Sequence, residues 1–321
     1  MQLKSTLPLL ATLISPILSA SLNSDIAPRS PESQPSLTWT TYLNPPYAVY
    51  DPPNNYTFSP TTYTLISGPE NAILIDTPLS VNDSEKVVTW IEKELAPNNV
   101  TLKYVYITHG HGDHFFGLPT ILSHFPSATV IATQGTIDHA KEQLEPAQFD
   151  TFWGPYFPNQ IAPQTETWNA LPSDGLFSLD GYAFQAIEVG QTDTSNSTVL
   201  HVPSLKLVVT GDAVYGSCFQ YLQETSTPAL RAEWLKALIE VEKLEPEIVI
   251  PSHRQEWDDF SINNIARTRE YLRSWEIELL ESAGRQDLKE RVGAVFPERI
   301  GDFILELSVE GGFPNATNGT A

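Results

Sequence analysis

A seven-residue stretch at positions 108–114, Thr-His-Gly-His-Gly-Asp-His, constrains this chain more than any other feature of its sequence. Three of the seven histidines of the chain lie in this stretch. The residues before it, 102–107, are mostly β-branched or aromatic and alternate as in a strand, whereas those after it, 115–122, are typical of the start of a helix. The histidines are therefore predicted on a loop that leaves the C-terminal end of a strand.

The spacing of the side chains in this loop indicates a site for two metal ions. His109 and His111 are two residues apart, so in an extended loop they point the same way. Asp113 and His114 can then turn towards a neighbouring position, so that one loop supplies two ligands to each of two ions. Imidazole and carboxylate ligands without a nearby thiolate suit zinc first, and iron or manganese next. A solvated histidine-rich loop is the alternative, but such a loop has no reason to follow a buried strand directly.

The string His109-x-His111-x-Asp113-His114 resembles the signature of the metallo-β-lactamase superfamily. The resemblance implies an α/β fold, a four-layer αββα sandwich, with a two-metal site at one edge of its sheets. It covers residues 61–254, which are most of the chain.

The resemblance also assigns functions to three residues at the ends of other apolar strands. Asp212, in a Gly-Asp pair, is expected to bridge both ions. His253 follows a late apolar strand and matches the last ligand of the family. Asp76 corresponds to an aspartate that supports the metal loop from behind, although a turn-forming aspartate before Thr77-Pro78 explains it equally well.

The third histidine loop of the family is where this chain departs from the pattern. Positions 190–194 read Gly-Gln-Thr-Asp-Thr, whereas the usual pattern resembles Gly-His-Thr. By that string Gln191 replaces the histidine, but counting back from Asp212 places Asp193 in its register. We predict Asp193 as the ligand, because the amide oxygen of Gln191 is neutral and binds zinc poorly. A first site formed by two histidines and Asp212 alone is a further alternative.

The predicted ligand sets combine these assignments. They are His109, His111, Asp193 and Asp212 for the first ion, and Asp113, His114, Asp212 and His253 for the second. Two ions of this kind lower the pKa of a water molecule from about 15.7 towards roughly 7. Asp113 is then predicted to orient the resulting hydroxide and to carry its proton to the leaving group.

Tyr215 and three further histidines lie outside the predicted ligand sets. Tyr215 lies three residues after Asp212 and is predicted to polarise a substrate carbonyl, with ordinary packing as the alternative. His124 and His139 are predicted to be solvated, and His201 is predicted to be packed within a strand.

The substrate prediction depends on an aromatic segment at 149–171, in which six aromatic side chains lie among one glycine and three prolines. Such a segment can form the wall of a substrate pocket or cover a core. Because lysine and arginine are sparse around the motifs, phosphorylated and sulfated substrates are disfavoured. The sequence favours a zinc-dependent hydrolase acting on a lactone, lactam or ester of a small natural product or xenobiotic. The alternatives are an inactive binding protein of the same fold and a non-haem iron oxidoreductase.

The N-terminal residues and a set of glycosylation sequons predict a secreted glycoprotein. Residues 1–20 read as a signal peptide, with Lys4 before an apolar run and small residues at its end. Six Asn-x-Ser/Thr sequons favour a eukaryotic secretory route: Asn55, Asn82, Asn99, Asn196, Asn315 and Asn318. No other stretch is apolar and long enough to span a bilayer.

We expect three further parts after the signal peptide. Residues 21–60 form an irregular segment rich in serine and proline, 61–310 the metallo-β-lactamase-like domain, and 311–321 a loose tail. The single cysteine, Cys218, excludes an intramolecular disulfide. A net charge of −21 disfavours nucleic acid as a partner and leaves a small molecule as the expected one.

Overall fold

The computed structural model describes residues 36–313. Its larger sheet has six strands in the spatial order β1 (Thr38–Asn44), β4 (Thr61–Ser67), β5 (Asn71–Ile75), β6 (Thr101–Tyr106), β7 (Thr129–Ala132) and β8 (Trp168–Ala170). The pairs β1–β4 and β4–β5 are antiparallel, whereas β5, β6, β7 and β8 are parallel neighbours. The carboxyl ends of these parallel strands therefore lie at one edge of the sheet.

A second sheet of five strands lies in the order β13 (Ile248–Ile250), β12 (Leu207–Val209), β11 (Ser197–Val202), β10 (Tyr182–Gly190) and β9 (Leu176–Leu179). Only β12 and β13 are parallel in this sheet. A small antiparallel pair joins β2 (Tyr47–Ala48) to β3 (Thr57–Phe58).

The helices cover the outer faces of both sheets. They are α1 (Val81–Leu95), α2 (Leu118–His124), α3 (Gln134–Leu144), α4 (Pro146–Gln148), α5 (Gly154–Tyr156), α6 (Pro228–Lys243), α7 (Asn263–Glu281), α8 (Arg285–Val295) and α9 (Asp302–Gly312). A π-helical turn, Phe149–Trp153, joins the two three-residue helices α4 and α5. None of the helices in the described residues is both long and apolar enough to cross a membrane.

Three apolar layers hold these elements together. One lies between the larger sheet and α1, α2 and α3, and a second lies between the smaller sheet and α6, α7 and α8. The third is formed by the facing sides of the two sheets, where Ile73 and Tyr106 belong to the same buried cluster as Phe184 and Leu200. The predicted four-layer αββα sandwich is thereby confirmed.

The expectation of an irregular segment over 21–60 is wrong for residues 38–44, which form strand β1. Residues 38–44 pair with β4 along their whole length, and Trp39 packs edge-on against Phe260 at 5.3 Å between ring centres. The alternation of threonines with aromatic residues in this stretch has the period of a strand, but the surrounding serines and prolines obscured it. The predicted signal peptide and the sequons Asn315 and Asn318 lie outside the described residues.

Candidate metal centre

The ends of several strands meet at one edge of the sandwich and carry buried polar side chains there. Asp76 directly follows β5, the loop at 107–114 follows β6, and His253 comes three residues after β13. Asp212 follows β12 in a tight turn, in which a Cβ atom on Gly211 would lie 2.6 Å from the hydroxyl oxygen of Thr108. This close approach explains why a glycine precedes the aspartate.

The first group of donors consists of His109, His111 and Asp193, which are all buried and whose ligand atoms lie within 4.8 Å of one another. The Nδ1 atom of His111 is 2.9 Å from Asp193 Oδ2, and the Nε2 atom of His109 is 3.7 Å from the same oxygen. Both His109 Nε2 and Asp193 Oδ2 lack a hydrogen-bond partner in the described part of the chain. Buried polar atoms without partners are costly, and a bound cation would satisfy them.

The second group consists of Asp113, His114 and His253. The Oδ2 atom of Asp113 lies 3.3 Å from His114 Nε2 and 3.4 Å from His253 Nε2. Asp212 approaches the same two rings, at 3.4 Å from His114 and 3.1 Å from His253, and it also forms a ligand group with His109 and His114. Asp212 therefore lies between the two groups, where the resemblance had predicted a bridging carboxylate.

A set of outer contacts holds three of these imidazole rings with Nε2 towards the cluster. The carboxylate of Asp76 accepts hydrogen bonds from the backbone N–H and the hydroxyl of Thr108, and lies 2.9 Å from His114 Nδ1. His253 Nδ1 is 2.9 Å from the carbonyl oxygen of Pro60, and His109 Nδ1 is 3.0 Å from the Thr108 hydroxyl. The geometry thus favours the supporting role of Asp76 over that of a simple turn residue.

The structure separates the two residues of the third loop. The side-chain amide of Gln191 donates to the backbone oxygen of Thr192 and to the hydroxyl of Thr225, outside the cluster. The hydroxyl of Thr192 donates to Asp193 Oδ1, which leaves Oδ2 facing His109 and His111. The carboxylate predicted as a ligand therefore lies among the other candidates, and Gln191 does not.

Tyr215 is buried, and its hydroxyl is engaged by the cluster. It donates a 2.6 Å hydrogen bond to Asp212 Oδ2, and its ring stacks on that of His253 at 5.5 Å between ring centres. In this arrangement Tyr215 orients Asp212, and polarisation of a substrate carbonyl would require that hydrogen bond to break.

The prediction that His139 is solvated is wrong. It is 5% exposed, and its ring centre lies 5.4 Å from that of His111. Burial, together with the proximity of His111, lowers the pKa of His139 to about 4. Sequence analysis missed this position because α3 carries polar residues on its buried side as well, including Gln143. In contrast, His124 lies partly exposed beside Glu85, and His201 is half-buried in β11, as predicted.

Sequence analysis also missed Glu224, whose carboxylate lies 3.3 Å from His111 Nε2. Its position in a loop gives no periodic signal. The sequence held one indication of its importance: Glu224 is the only charged residue between Ala213 and Leu230.

A cavity opens onto the donors. Its wall contains Phe152 and Trp153 from the aromatic segment, Tyr221 from the loop before α6, and Ile304 and Leu307 from α9. Among the described residues no lysine or arginine lines the cavity, whereas Glu224 does. Part of the predicted aromatic segment therefore forms a pocket wall, and the cavity is apolar apart from the ligand cluster and a few polar side chains.

The close packing of carboxylates and imidazoles fixes the charges of the metal-free protein. Burial alone would raise the pKa of Asp212, but the neighbouring His253 and His114 hold it below its usual value. Burial would lower the pKa of His253, but Asp212 and Asp113 raise it to about 10. The metal-free cluster is thus held together by ion pairs between protonated histidines and carboxylates.

We expect the melting temperature of the metal-free protein to fall as the pH rises from about 6.5 to about 10. A histidine with a raised pKa stabilises the fold fully below the pKa of the unfolded chain and loses that contribution as pH rises through about 10. The loss should be on the order of a few kcal/mol. Thermal unfolding of chelator-treated protein across this range measures it, with His253→Gln as the control in which the slope should shrink. A flat profile in the unsubstituted protein would contradict these ion pairs.

The chain is similar to known proteins in both sequence and fold. A family model described as the metallo-β-lactamase superfamily matches residues 56–253. Hydroxyacylglutathione hydrolase 1 of Vibrio vulnificus is 36% identical over 64 residues, which are 20% of this chain and only 23% of that relative. An atrochrysone carboxyl ACP thioesterase of Aspergillus novofumigatus is 22% identical over 271 residues, which are 80% of this chain and 72% of the relative.

Solved structures agree with the fold. A metallo-β-lactamase from Pontibacter korlensis superimposes with a TM-score of 0.54 at 18% identity, covering 74% of this chain and 99% of that structure. At this identity the similarity concerns the arrangement of sheets and helices.

Proposed function

Because the chain belongs to the metallo-β-lactamase superfamily, we propose that it is a metal-dependent hydrolase that holds two divalent ions, zinc in the first instance. The observation that carries the proposal is the convergence of four histidines and three aspartates at one buried edge, below an apolar cavity. Ions bound there would supply an activated water and polarise a substrate carbonyl. The donor types fit such ions, and the unpartnered nitrogen and oxygen atoms already face one another.

The proposed ligands are the sets predicted from the sequence. His109, His111 and Asp193 would hold the first ion, Asp113, His114 and His253 would hold the second, and Asp212 would serve both. Three carboxylates make this donor set harder than one with a third histidine in the first site. Manganese or iron is therefore the second choice of metal.

Asp113 is proposed as the residue that moves a proton. Its Oδ2 atom lies between the two rings of the second group and its carboxylate lines the cavity. A carboxylate at this position can accept a proton from the attacking water and deliver it to the leaving group. Tyr215 supports the reaction by holding Asp212 through its hydroxyl.

We propose a neutral, apolar substrate with a hydrolysable carbonyl, a lactone, lactam or ester of a small natural product or xenobiotic. The support is the cavity wall, where aromatic and aliphatic side chains surround the donors and Glu224 is an additional negative charge. A substrate carboxylate would find no lysine or arginine among the lining residues that the structure describes. A thioester is the second candidate, favoured by the relatives named hydroxyacylglutathione hydrolase 1 and atrochrysone carboxyl ACP thioesterase.

Secretion is part of the proposal. It is supported by the signal-like residues 1–20 and by the four sequons in the described chain, at which the asparagine is exposed in every case. These asparagines are Asn55, Asn82, Asn99 and Asn196.

We expect the enzyme to hydrolyse a neutral substrate at least about 10-fold more efficiently than its carboxylate twin, because a like charge at short range in a desolvated cavity costs over 1 kcal/mol. The measurement is kcat/KM for three aromatic pairs, a lactone, an ester and a thioester, each with and without a distal carboxylate. The order among the neutral members separates the two candidate substrate classes. A preference for the carboxylate members would contradict the proposed substrate.

A further inference from the structure

The outer contacts of the four histidines differ in one respect. In three of them Nδ1 faces an outer partner and Nε2 faces the cluster, whereas His111 is reversed, with Nδ1 at 2.9 Å from Asp193. Its Nε2 atom must therefore face outward. The group it meets there is the carboxylate of Glu224, at 3.3 Å.

The second oxygen of Glu224 is also occupied. It accepts a 2.5 Å hydrogen bond from the hydroxyl of Thr194, the residue directly after Asp193. One carboxylate thus contacts the ring of one proposed ligand and the turn that carries another. His139 also lies near both, with its ring centre 5.4 Å from that of His111 and its Nε2 atom 3.4 Å from the Thr194 hydroxyl, but it does not contact His111 Nε2 through a carboxylate as Glu224 does.

Glu224 itself is held in a defined place. Its neighbour Thr225 contacts the third loop, because the Thr225 hydroxyl donates to the backbone oxygens of Thr192 and Asp193. The ring of Tyr221 meets that of His111 edge-on at 5.4 Å between centres. The side chain of Glu224 is 33% exposed and lines the cavity, so it can contact a molecule bound there.

A histidine that binds a metal through one nitrogen usually donates its other N–H to a carboxylate or carbonyl, which fixes the tautomer and the ring orientation. Asp76 and the carbonyl of Pro60 make such contacts to the second group. We propose that Glu224 is the positioning residue for His111: it accepts the Nε2–H of that ring, presents Nδ1 to the first ion, and fixes the turn that carries Asp193. This inference rests on the proposed two-metal function and adds a residue that acts on the first ion alone.

The proposal predicts an effect confined to one ion. Replacing Glu224 with alanine should weaken binding of the first ion by about 10- to 100-fold and leave the second unchanged. Glu224→Gln keeps an oxygen that can accept the Nε2–H, so its loss should be smaller. Gln148→Ala, which alters the same cavity wall away from the histidines, should change neither affinity.

The experiment is a stepwise titration of the metal-free, full-length protein with zinc in competition with a chromogenic chelator. A parallel titration with cobalt(II) reports the ligand field of each ion through its visible absorption. The Glu224→Ala variant should lose or shift the cobalt bands of one ion only. Melting curves of the metal-free variants show whether each is folded.

A double substitution shows which ion responds. In an Asp193→Ala background, where the first site is already weakened, Glu224→Ala should cause little further loss. Equal losses in both backgrounds would overturn the proposal, as would unchanged affinities in Glu224→Ala while the unsubstituted protein binds two ions. If the unsubstituted protein binds no ion at all, the proposed function fails as well.

Discussion

Replacing Asp113 with asparagine is expected to lower kcat/KM by about 10²- to 10⁴-fold. The side chains have nearly the same size, but the amide cannot accept a proton from the attacking water. The carboxylate is buried, and its Oδ2 atom lies 3.3 Å from His114 and 3.4 Å from His253, so the substitution also removes a negative charge from the second group. The measurement is kcat/KM on the best substrate of the panel, at matched metal content.

The matched control is Asp138→Asn on the surface of α3, where the carboxylate pairs only with exposed neighbours, Lys141 and Gln134. This variant should keep its activity. If Asp113→Asn binds both ions and retains activity within about three-fold of the unsubstituted enzyme, another group carries the proton.

Replacing Asp193 with alanine should lower the metal content from about two ions per chain to about one. The carboxylate is fully buried, and its Oδ2 atom is shared by His109 and His111. Its removal leaves those two rings with Asp212 alone as an anionic partner, so hydrolysis should fall together with metal content. Mass spectrometry of the purified protein measures the ions directly.

Gln191→Ala separates the two alternatives in the third loop. The amide of Gln191 bonds to Thr192 and Thr225 and points away from the donors, so this variant should keep both ions. If Gln191→Ala lost an ion while Asp193→Ala kept two, the assignment of the ligand would be reversed. Iron in place of zinc would redirect the search towards redox chemistry.

The sequence predicted the fold and most of the cluster because both depend on short-range patterns. The ligands at 109–114 are neighbours in one loop, and the strands before Asp212 and His253 are continuous apolar runs. The choice between Gln191 and Asp193 as the ligand required the three-dimensional structure of the third loop. Two registers were compatible with the sequence. They are separated by the hydrogen bonds that Gln191 donates to Thr225 and that Thr192 donates to Asp193, and these bonds depend on the folded turn.

The remaining differences arise from contacts between distant parts of the chain. Strand β1 is stabilised by pairing with β4, which its own serine- and proline-rich surroundings do not reveal. His139 lies on a helix with a mixed pattern, and its burial follows from the approach of the metal loop. Glu224 and Tyr215 lie in a loop, where the sequence has no helical or strand periodicity from which their contacts could be predicted.

Helix α9 adds part of the cavity wall from a region of the chain that follows all the proposed metal ligands. Ile304 and Leu307 line the cavity from this helix, and Phe303 packs against Phe58 and Tyr156, although the family match ends at residue 253. All seven proposed ligands lie within the family match, which ends on His253. Substitutions on the cavity-facing side of α9 should therefore change substrate selectivity and leave the proposed metal ligands in place.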